Sequence, residues 1–201
     1  MQLISSPLSP FVRKVRVLLH ETGLADQVTE IPVATTALAT APEAMAANPL
    51  GKIPALMRND GPAIYDSRVI CRYLDAKAGA GLYPEAQLWE VLTLEATADG
   101  IMESGVLMVY ETRLRPEGAR SEAWVEAQWA KIARALDALE QRWMSHLSGP
   151  LDMGQIAVAC ALSYLDFRHD ARGWRQGRPA LAAWYDGFAA RDSMTATAPA
   201  A

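Results

Sequence analysis

The first part of the chain alternates between short runs with strand character and stretches with helical spacing of apolar positions. Ser9-Pro10 is typical of a helix start and Gly23 of a helix end, so a helix is predicted between them. A second helix is predicted over residues 66–77, and residues 35–48 are expected to form a short helix or loop. The predicted order is βαβ followed by ββα, with strands at residues 2–5, 28–33, 55–57 and 63–65.

Beyond this part, the pattern predicts helices and no strand. Residues 79–85 contain Gly79, Gly81 and Pro84, break the periodicity and are interpreted as a linker between domain 1–78 and domain 86–201. A capping box of Asp152 and Gln155 is expected to open one helix, and the chain after Ser193 is expected to fray. The helices of this part are predicted at residues 86–114, 121–147, 156–168 and 179–191.

Charge and composition exclude several classes of function. The net charge of −4 argues against a nucleic-acid or anionic membrane surface as partner. Cys71 and Cys160 lie in apolar patterns and are expected to be reduced, buried and structural, as in a cytoplasmic protein. The chain shows neither a signal-like start nor an apolar run long enough to cross a membrane. No metal site is expected, because the three histidines lack ligand spacing: His20, His146 and His169.

Candidate chemistry concentrates in residues 48–56 and in Asp66-Ser67. Pro54 has no amide hydrogen and opens a predicted strand, so the backbone of Ile53 is expected to stay available for an extended peptide ligand. Asp66 can bind an ammonium group, and Ser67 at a helix N-terminus can bind a carboxylate. One amino acid carries both groups, so the pattern predicts a site for the α-amino-acid end of a small peptide.

Each piece also has an ordinary structural explanation. Ile53-Pro54 could be a strand-edge proline, and Asp66 and Ser67 could be helix caps. The combination of these pieces with the N-terminal Ser9-Pro10 segment favours the ligand site.

The whole chain resembles a cytosolic glutathione S-transferase of the bacterial type with a serine active site. This resemblance implies an α/β thioredoxin-like domain, a cis Ile53-Pro54 peptide, an all-helical C-terminal domain that lines the second-substrate pocket, and a homodimer. Glutathione is the implied cosubstrate, with no permanently bound cofactor. The motifs that carry the resemblance are SPFVR at residues 9–13, NPLGKIPAL at 48–56, YDS at 65–67 and DMGQIA at 152–157.

Within this family, Ser9 occupies the position of the activating residue. A hydroxyl donor at a helix N-terminus stabilises a thiolate relative to the thiol, and so lowers the thiol's pKa. Ser9 could also be only the helix cap, although capping and catalysis are compatible. Ser5 and Ser6 are rivals for its role, and the position relative to the helix favours Ser9. No sulfur occurs in residues 9–12, which excludes a Cys-x-x-Cys thiol-disulfide enzyme. Three cations follow and are expected to make this helix end more positive: Arg13, Lys14 and Arg16.

The resemblance also assigns residues to the binding of glutathione: Phe11, Lys52, Ile53, Pro54, Asp66 and Ser67. Many relatives hold the glycine carboxylate with a cation or Trp after the second strand, but residues 32–48 contain no Lys, Arg, His or Trp. Lys52 either substitutes for that cation or is a solvated turn lysine. The Asp152 and Gln155 pair also differs from the Ser/Thr and Asp usual in the family, while its hydrogen-bonding capacity is preserved.

The second-substrate pocket is predicted on the first helix of the helical part, from residues at helical spacing: Met102, Val106, Tyr110 and Arg113. The same spacing is typical of helix packing, and Tyr164 and Phe167 share this ambiguity.

Two classes of function remain. One is an enzyme that conjugates glutathione to a small electrophile or carries out a related glutathione-dependent reaction, such as peroxide reduction or dehalogenation. The other is a non-catalytic binding or regulatory protein of the same fold.

Overall fold

A computed structural model of the chain describes residues 1–199. By its internal contacts the chain forms two compact units. The first comprises Met1–Leu88 and the segment that begins at Asp192, and the second is Trp89–Arg191. Residues 79–85 lie within the first unit, and the division into domains 1–78 and 86–201 stays a prediction.

The first unit contains a three-stranded mixed sheet with the order β2-β1-β3. β1 pairs in parallel with β2 and antiparallel with β3, so that Ile4 lies opposite Ile31 on one side and Ala55 on the other. A parallel pair requires a crossover connection, and the first helix provides it. The strands are β1 (Gln2–Ser5), β2 (Thr29–Pro32) and β3 (Ala55–Met57).

The prediction of a fourth strand at residues 63–65, just before Asp66, was wrong. It is reduced to a single bridge in which Leu56 and Ile64 exchange backbone hydrogen bonds of 2.9 and 3.0 Å. Pro62 has no amide hydrogen to extend the ladder, and its carbonyl accepts a hydrogen bond from Arg58 Nε at 2.9 Å. On the other side, Asp66 already caps the next helix. The chain therefore leaves the sheet after one pair of residues.

Three helices cover this sheet: α1 (Pro10–Glu21), α2 (Pro42–Ala47) and α3 (Ser67–Ala78). Ile4 and Ala55 form one buried cluster with Ala44 of α2. Their strand neighbours Leu3 and Leu56 are also fully buried, and side chains alternate along a strand, so both faces of the sheet are covered. α1 packs against α3. The sheet therefore holds the starts of α1 and α3 in fixed positions.

The second unit is helical throughout. Its central helix is α7, in which every residue from Met153 to Leu165 is buried. The helices of this unit are α4 (Leu88–Arg113), α5 (Glu122–Ala138), α6 (Met144–Leu147), α7 (Met153–His169) and α8 (Pro179–Ala189), α4 beginning at the last residue of the first unit.

A single α-helix over residues 121–147 was predicted, and this prediction was wrong near its C-terminal end. A π-helical segment, Leu139–Trp143, separates α5 from α6. Within it, the Glu140 carboxylate accepts hydrogen bonds from the backbone amides of Ala180 and Leu181 at 3.1 and 2.7 Å. These amides belong to the first turn of α8, where a negative charge is favourable. The π-helical segment thus supplies a cap for α8, which lies 40 residues later in the sequence.

The start of α7 carries a modified capping box. Asp152 Oδ1 accepts a hydrogen bond from the Gln155 amide at 3.0 Å, and Oδ2 lies 2.6 Å from His146 Nε2. The Gln155 side chain does not take the expected role of binding back to the cap. It donates instead to the carbonyls of Gly149 and Pro150 at 3.2 and 2.8 Å, and to that of His146 at 3.3 Å. The network fixes the turn that precedes the helix.

For the described residues up to 199, the expectation that the chain frays after Ser193 was also wrong, and residues 200 and 201 lie outside the described part. α9 (Asp192–Ala196) packs against α1 in the first unit. The guanidinium of Arg13 donates to the Met194 carbonyl at 2.9 Å and to Thr197 Oγ1 at 3.4 Å. Ser193 donates to the Glu21 carboxylate, and Thr197 is fully buried. Side-chain hydrogen bonds thus anchor this segment to the first unit.

Both cysteines are buried and form no disulfide, as predicted. Among the helices of residues 1–199, none combines the length and apolar character required to span a bilayer.

Candidate functional site

The predicted site residues of the first unit gather at one end of the sheet. Ile4 pairs with Ala55, so the chain that leaves β1 toward Ser9 and the chain that enters β3 through Ile53-Pro54 lie at the same end of the sheet. The antiparallel bridge between Leu56 and Ile64 brings the following Tyr65-Asp66 segment alongside residues 54–55. Sheet topology therefore brings together three segments that are far apart in sequence.

Ser9 is the N-cap of α1 and is half-buried. Its backbone is extended, and its hydroxyl oxygen accepts a hydrogen bond from the Val12 amide at 3.3 Å. An acceptor role uses a lone pair of the hydroxyl and leaves its hydrogen able to donate. Capping and donation to an anion are therefore compatible at Ser9. Phe11, in the first turn of the same helix, is also half-buried.

The two rival serines differ sharply from each other. Ser5 is buried, and its hydroxyl donates to the Glu30 carboxylate at 2.5 Å. Glu30 also pairs with Arg16 at 2.8 Å, so that cation does not add to the charge at the start of α1. Ser6 is half-buried, and its carbonyl accepts the Ser9 amide at 3.1 Å. The hydroxyl of Ser5 is therefore committed to a carboxylate, which favours Ser9 and Ser6 as donors.

A turn fixed by Asn48 presents the Ile53-Pro54 segment. The buried Asn48 side chain donates to the Lys52 carbonyl at 2.9 Å and accepts from the Leu50 amide at 3.0 Å. Gly51 has a φ of 63°, in the left-handed region that favours glycine. Sequence reasoning gave Asn48 no role, although Asn followed by Pro and Gly is a turn pattern whose side chain commonly binds the backbone ahead of it.

The Ile53-Pro54 peptide is cis, as predicted, and a second cis peptide, Tyr65-Asp66, was not predicted. β3 begins at Ala55, so Ile53 precedes the ladder. Among the backbone hydrogen bonds of residues 1–199, none involves the amide or carbonyl of Ile53. Pro54 is buried, while Lys52 is exposed. The backbone of Ile53 is thus available to an extended ligand.

Asp66 and Ser67 open α3. One Asp66 carboxylate oxygen accepts a hydrogen bond from the Arg68 amide at 3.0 Å, which makes Asp66 the N-cap. The other lies 3.7 Å from Arg68 Nε, and the side chain is 59% exposed. Ser67 is the first helical residue and is buried. The cap interpretation is therefore correct for Asp66, and it still leaves a carboxylate that a ligand can reach.

A cavity of about 400 Å³ opens on the connection between β2 and α2, lined by residues 32–34 and 39–43. Its charged lining residue is Glu43, so it does not suit a carboxylate. The structure thus places no cation in this lining, in agreement with the sequence. Among residues 1–199, no group of three or more His, Cys, Asp or Glu side chains could hold a metal ion.

In the second unit, the predicted pocket residues of α4 differ in burial. Met102 is fully buried and belongs to the packing of the unit. Val106 and Tyr110 are half-buried, and Arg113 is exposed. Met102, at the N-terminal end of this set, is therefore inaccessible to a ligand. Val106, Tyr110 and Arg113, toward the C-terminal end of α4, are open to one.

A tyrosine of α7 joins this C-terminal part. Burial raises the pKa of Tyr164 to about 12, against smaller opposing effects of Arg168 and Arg113, and Tyr110 also interacts with it. Gly105 lets Tyr164 approach α4, because a Cβ there would lie 3.1 Å from the tyrosine ring. Sequence reasoning missed Arg168, although it lies one helical turn after Tyr164.

Known proteins share both halves of this architecture. A family model described as the N-terminal domain of glutathione S-transferase matches residues 8–77, and one described as the C-terminal domain matches residues 122–187. The uncharacterized GST-like protein YibF of Escherichia coli (strain K12) is 35% identical over 206 residues, covering 99% of this chain and 98% of that protein.

Two further relatives extend the comparison. Glutathione S-transferase 3 of Zea mays is 28% identical over 214 residues, covering 100% of this chain and 94% of that protein. A crystal structure of a glutathione transferase family member from Pseudomonas fluorescens Pf-5, with bound glutathione, matches with a TM-score of 0.97 and 46% identity. That match covers 100% of this chain and 99% of the other.

Proposed function

Because the chain belongs to the glutathione S-transferase family, we propose that it is a transferase that joins the glutathione thiolate to a small, hydrophobic electrophile. The observation that carries the proposal is the strand pairing that brings the segments containing Ser9, Ile53 and Asp66 to the same end of the sheet. The Ser9 hydroxyl, the Ile53 backbone and the Asp66 carboxylate match the thiol, the cysteinyl backbone and the γ-glutamyl ammonium of one tripeptide.

The predicted fold class is confirmed: a thioredoxin-like domain with a mixed sheet precedes an all-helical domain. Binding of glutathione by this chain is part of the proposal. It is supported by the similar structure from Pseudomonas fluorescens Pf-5, which contains glutathione.

In the proposed complex, glutathione lies extended at the end of the sheet where β1 ends and β3 begins. The Asp66 carboxylate binds the ammonium group, and Ser67 at the start of α3 binds the adjacent carboxylate. The Ile53 backbone pairs with the cysteinyl unit, in the manner of an added strand. Lys52 binds the glycine carboxylate, and Phe11 and Pro54 supply apolar contacts.

The proposed role of Ser9 is to donate its hydroxyl hydrogen to the glutathione sulfur. A free thiol of this kind has a pKa of about 8.5, so at neutral pH only a small fraction is thiolate. Each unit by which the site lowers that pKa corresponds to about 1.36 kcal/mol of preferential binding of the thiolate. The sulfur then forms a bond to the electrophilic carbon, and the leaving group departs with its electron pair. Ser9 itself is not covalently modified.

Further expectations belong to the same proposal. Val106, Tyr110 and Arg113 contact the electrophile, while the fully buried Met102 supports this part of α4 through the packing of the unit. The protein is a homodimer and acts in the cytoplasm.

A non-catalytic glutathione-binding protein is the second candidate. The observation that favours it is the lack of a cation in residues 32–48, which predicts weak affinity for glutathione. Calorimetric titration with glutathione, followed by an assay with 1-chloro-2,4-dinitrobenzene, separates the two. Binding with turnover supports the transferase, binding without turnover supports the second candidate, and the absence of binding contradicts both.

A further inference from the structure

The turn that precedes β3 is held by one buried side chain, that of Asn48, which is 2% exposed. Its Nδ2 donates to the Lys52 carbonyl at 2.9 Å, and its Oδ1 accepts from the Leu50 amide at 3.0 Å. Because one contact needs a donor and the other an acceptor, the two ends of the side-chain amide cannot be exchanged. The hydrogen bond to Lys52 therefore depends on a nitrogen at that position.

The backbone of Asn48 fixes this side chain relative to the sheet. Its amide donates to the Ala44 carbonyl of α2 at 2.9 Å, and its carbonyl accepts from the Gly51 amide at 2.8 Å. Ala44 is fully buried in the cluster that contains Ala55 of β3. A Cβ at Gly51 would collide with the Thr40 side chain, so the turn packs closely against the connection that precedes α2. The Asn48 side chain thus extends from a firmly held backbone.

The hydrogen bond to Lys52 determines the direction of the next amide. The Lys52 carbonyl and the Ile53 amide belong to one peptide group. This group is trans, since the cis peptides of residues 1–199 are those that follow Ile53 and Tyr65. In a planar trans peptide the C=O and N–H bonds point in opposite directions. A carbonyl held toward the buried Asn48 side chain therefore turns the Ile53 N–H away from that side chain.

We propose that Asn48 is a positioning residue for ligand binding: it sets the Lys52-Ile53 peptide so that the Ile53 N–H is presented to a carbonyl of an extended peptide ligand. An amide that is oriented before binding loses less freedom when it pairs, so this preorganisation raises affinity. The cysteinyl carbonyl of glutathione is the acceptor that the arrangement suits, and this clause rests on the proposed function. Asn48 acts only through the peptide group that it holds.

Two variants remove the hydrogen bond to Lys52 and keep the one from Leu50. Asn48→Asp replaces the donating nitrogen with an oxygen, which cannot donate. Asn48→Ser adds no charge: its hydroxyl can accept from the Leu50 amide in a similar turn but is too short to reach Lys52. Asn59→Asp is the matched control, because Asn59 is the other asparagine of the chain and is exposed. If the new carboxylate of Asn48→Asp prevents folding, Asn48→Ser carries both experiments.

The orientation of the Ile53 N–H can be measured without ligand. Its residual dipolar coupling, recorded by NMR in weakly aligned protein, reports the direction of the bond relative to the first unit. The couplings of the parent and of Asn59→Asp should match the value expected from the structure. Asn48→Asp and Asn48→Ser should shift it beyond the error of measurement, while the couplings of β1 stay constant. An Ile53 coupling that stays unchanged in both variants would overturn the proposal.

A pair of ligands then tests the role of Asn48 in binding. One is glutathione, and the other is its analogue with a trans-alkene in place of the cysteinyl-glycine amide, which lacks the cysteinyl carbonyl. In calorimetric titration the parent and Asn59→Asp should bind the analogue about fivefold more weakly than glutathione, the effect of one hydrogen bond. In Asn48→Ser this ratio of dissociation constants should fall to about one. A merely structural role would weaken the binding of both ligands by the same factor and leave the ratio as it is in the parent.

The outcomes separate this proposal from the proposed function. A ratio that is the same in Asn48→Ser as in the parent, or near unity in the parent, would contradict the positioning role while leaving glutathione binding intact. A parent that binds neither ligand would contradict the proposed function, and the dipolar coupling of Ile53 would still decide whether Asn48 orients its amide.

Discussion

At the scale of single residues, Ser9 combines two roles in one hydroxyl. It accepts from the Val12 amide at 3.3 Å and can still donate its hydrogen to a sulfur anion. We therefore expect Ser9→Ala to raise the kinetic pKa of conjugation by about one unit and to lower the rate at neutral pH, with little change in affinity for glutathione. The measurement is the thiolate absorbance of the glutathione complex against pH.

Two further variants isolate the hydroxyl of Ser9 from its capping role. Loss of an N-cap costs about 0.5–2 kcal/mol, so Ser9→Ala should also unfold at a lower denaturant concentration. Ser9→Thr keeps both cap and donor and should titrate like the parent. Ser6→Ala tests the remaining rival. If Ser6→Ala shifted the titration and Ser9→Ala did not, the activating role would belong to Ser6.

Asp66 offers an equally direct test of glutathione binding. Asp66→Asn preserves the N-cap of α3 but removes the charge, and should weaken binding by about 1.5–3 kcal/mol. Asp60→Asn is a matched control, because both carboxylates are 59% exposed and each lies near an arginine. Calorimetry with glutathione checks the prediction. An Asp66→Asn variant that binds as tightly as Asp60→Asn would exclude Asp66 from the site.

At the scale of elements, the start of α7 depends on Asp152. Its two carboxylate oxygens bind the Gln155 amide and His146, and the residue is only 3% exposed. Asp152→Ala should therefore cost about 2–3 kcal/mol of unfolding free energy, since it removes a cap and leaves a buried partner unsatisfied. Ser121→Ala removes an exposed cap, that of α5, and should cost less. Urea unfolding of both variants gives the comparison, and equal costs would mean that His146 contributes nothing.

The attachment of α9 can be tested through Arg13. This side chain is 6% exposed and donates to Met194 and Thr197. Arg13→Met should destabilise the protein by about 1–3 kcal/mol and accelerate amide exchange in residues 192–199. Arg16→Met, which breaks a more exposed pair with Glu30, should cost less than about 1 kcal/mol. Unchanged exchange in the Arg13→Met variant would show that other contacts hold this segment.

Elements marked by local signals could be predicted from the sequence. Pro10 and Gly23 set the bounds of α1, and the apolar runs at residues 2–5 and 55–57 set β1 and β3. The cis Ile53-Pro54 peptide and the grouping around it followed from a family motif rather than from local physics. The helices of the second unit were located to within a few residues at most ends, since their apolar spacing is long and regular.

Most features that sequence reasoning missed depend on partners distant in the chain. Glu140 belongs to a π-helical segment that caps α8, and Arg13 holds the C-terminal segment. The strand expected before Asp66 is instead cut short locally, by Pro62 and by its hydrogen bond from Arg58 four residues earlier. In the site, no local sequence pattern indicates that the Ser5 hydroxyl donates a hydrogen bond to the Glu30 carboxylate. Each of these contacts joins side chains with backbone or side-chain groups that only the folded chain brings within hydrogen-bonding distance.

At the scale of the whole molecule, the family resemblance predicts self-association as a homodimer in which α3 and α4 meet their symmetry mates. Each of these helices carries a large apolar side chain in solvent: Val69 on α3 is 48% exposed, and Trp89 on α4 is 76% exposed. Single exposed apolar residues are common, so exposure alone does not establish an interface. A two-fold interface would repeat each of these residues and double the effect of a change.

We therefore expect the protein to sediment as a dimer at micromolar concentration, and Trp89→Glu and Val69→Glu to shift it toward the monomer. A glutamate introduced on a two-fold interface places two uncompensated charges in an apolar environment, which costs several kcal/mol. Trp124→Glu is the control, because Trp124 on α5 is also exposed, at 46%, and lies outside the predicted interface. Sedimentation velocity of the four proteins decides the matter. A monomeric parent would contradict the dimer, and dissociation by Trp124→Glu alone would move the interface to α5.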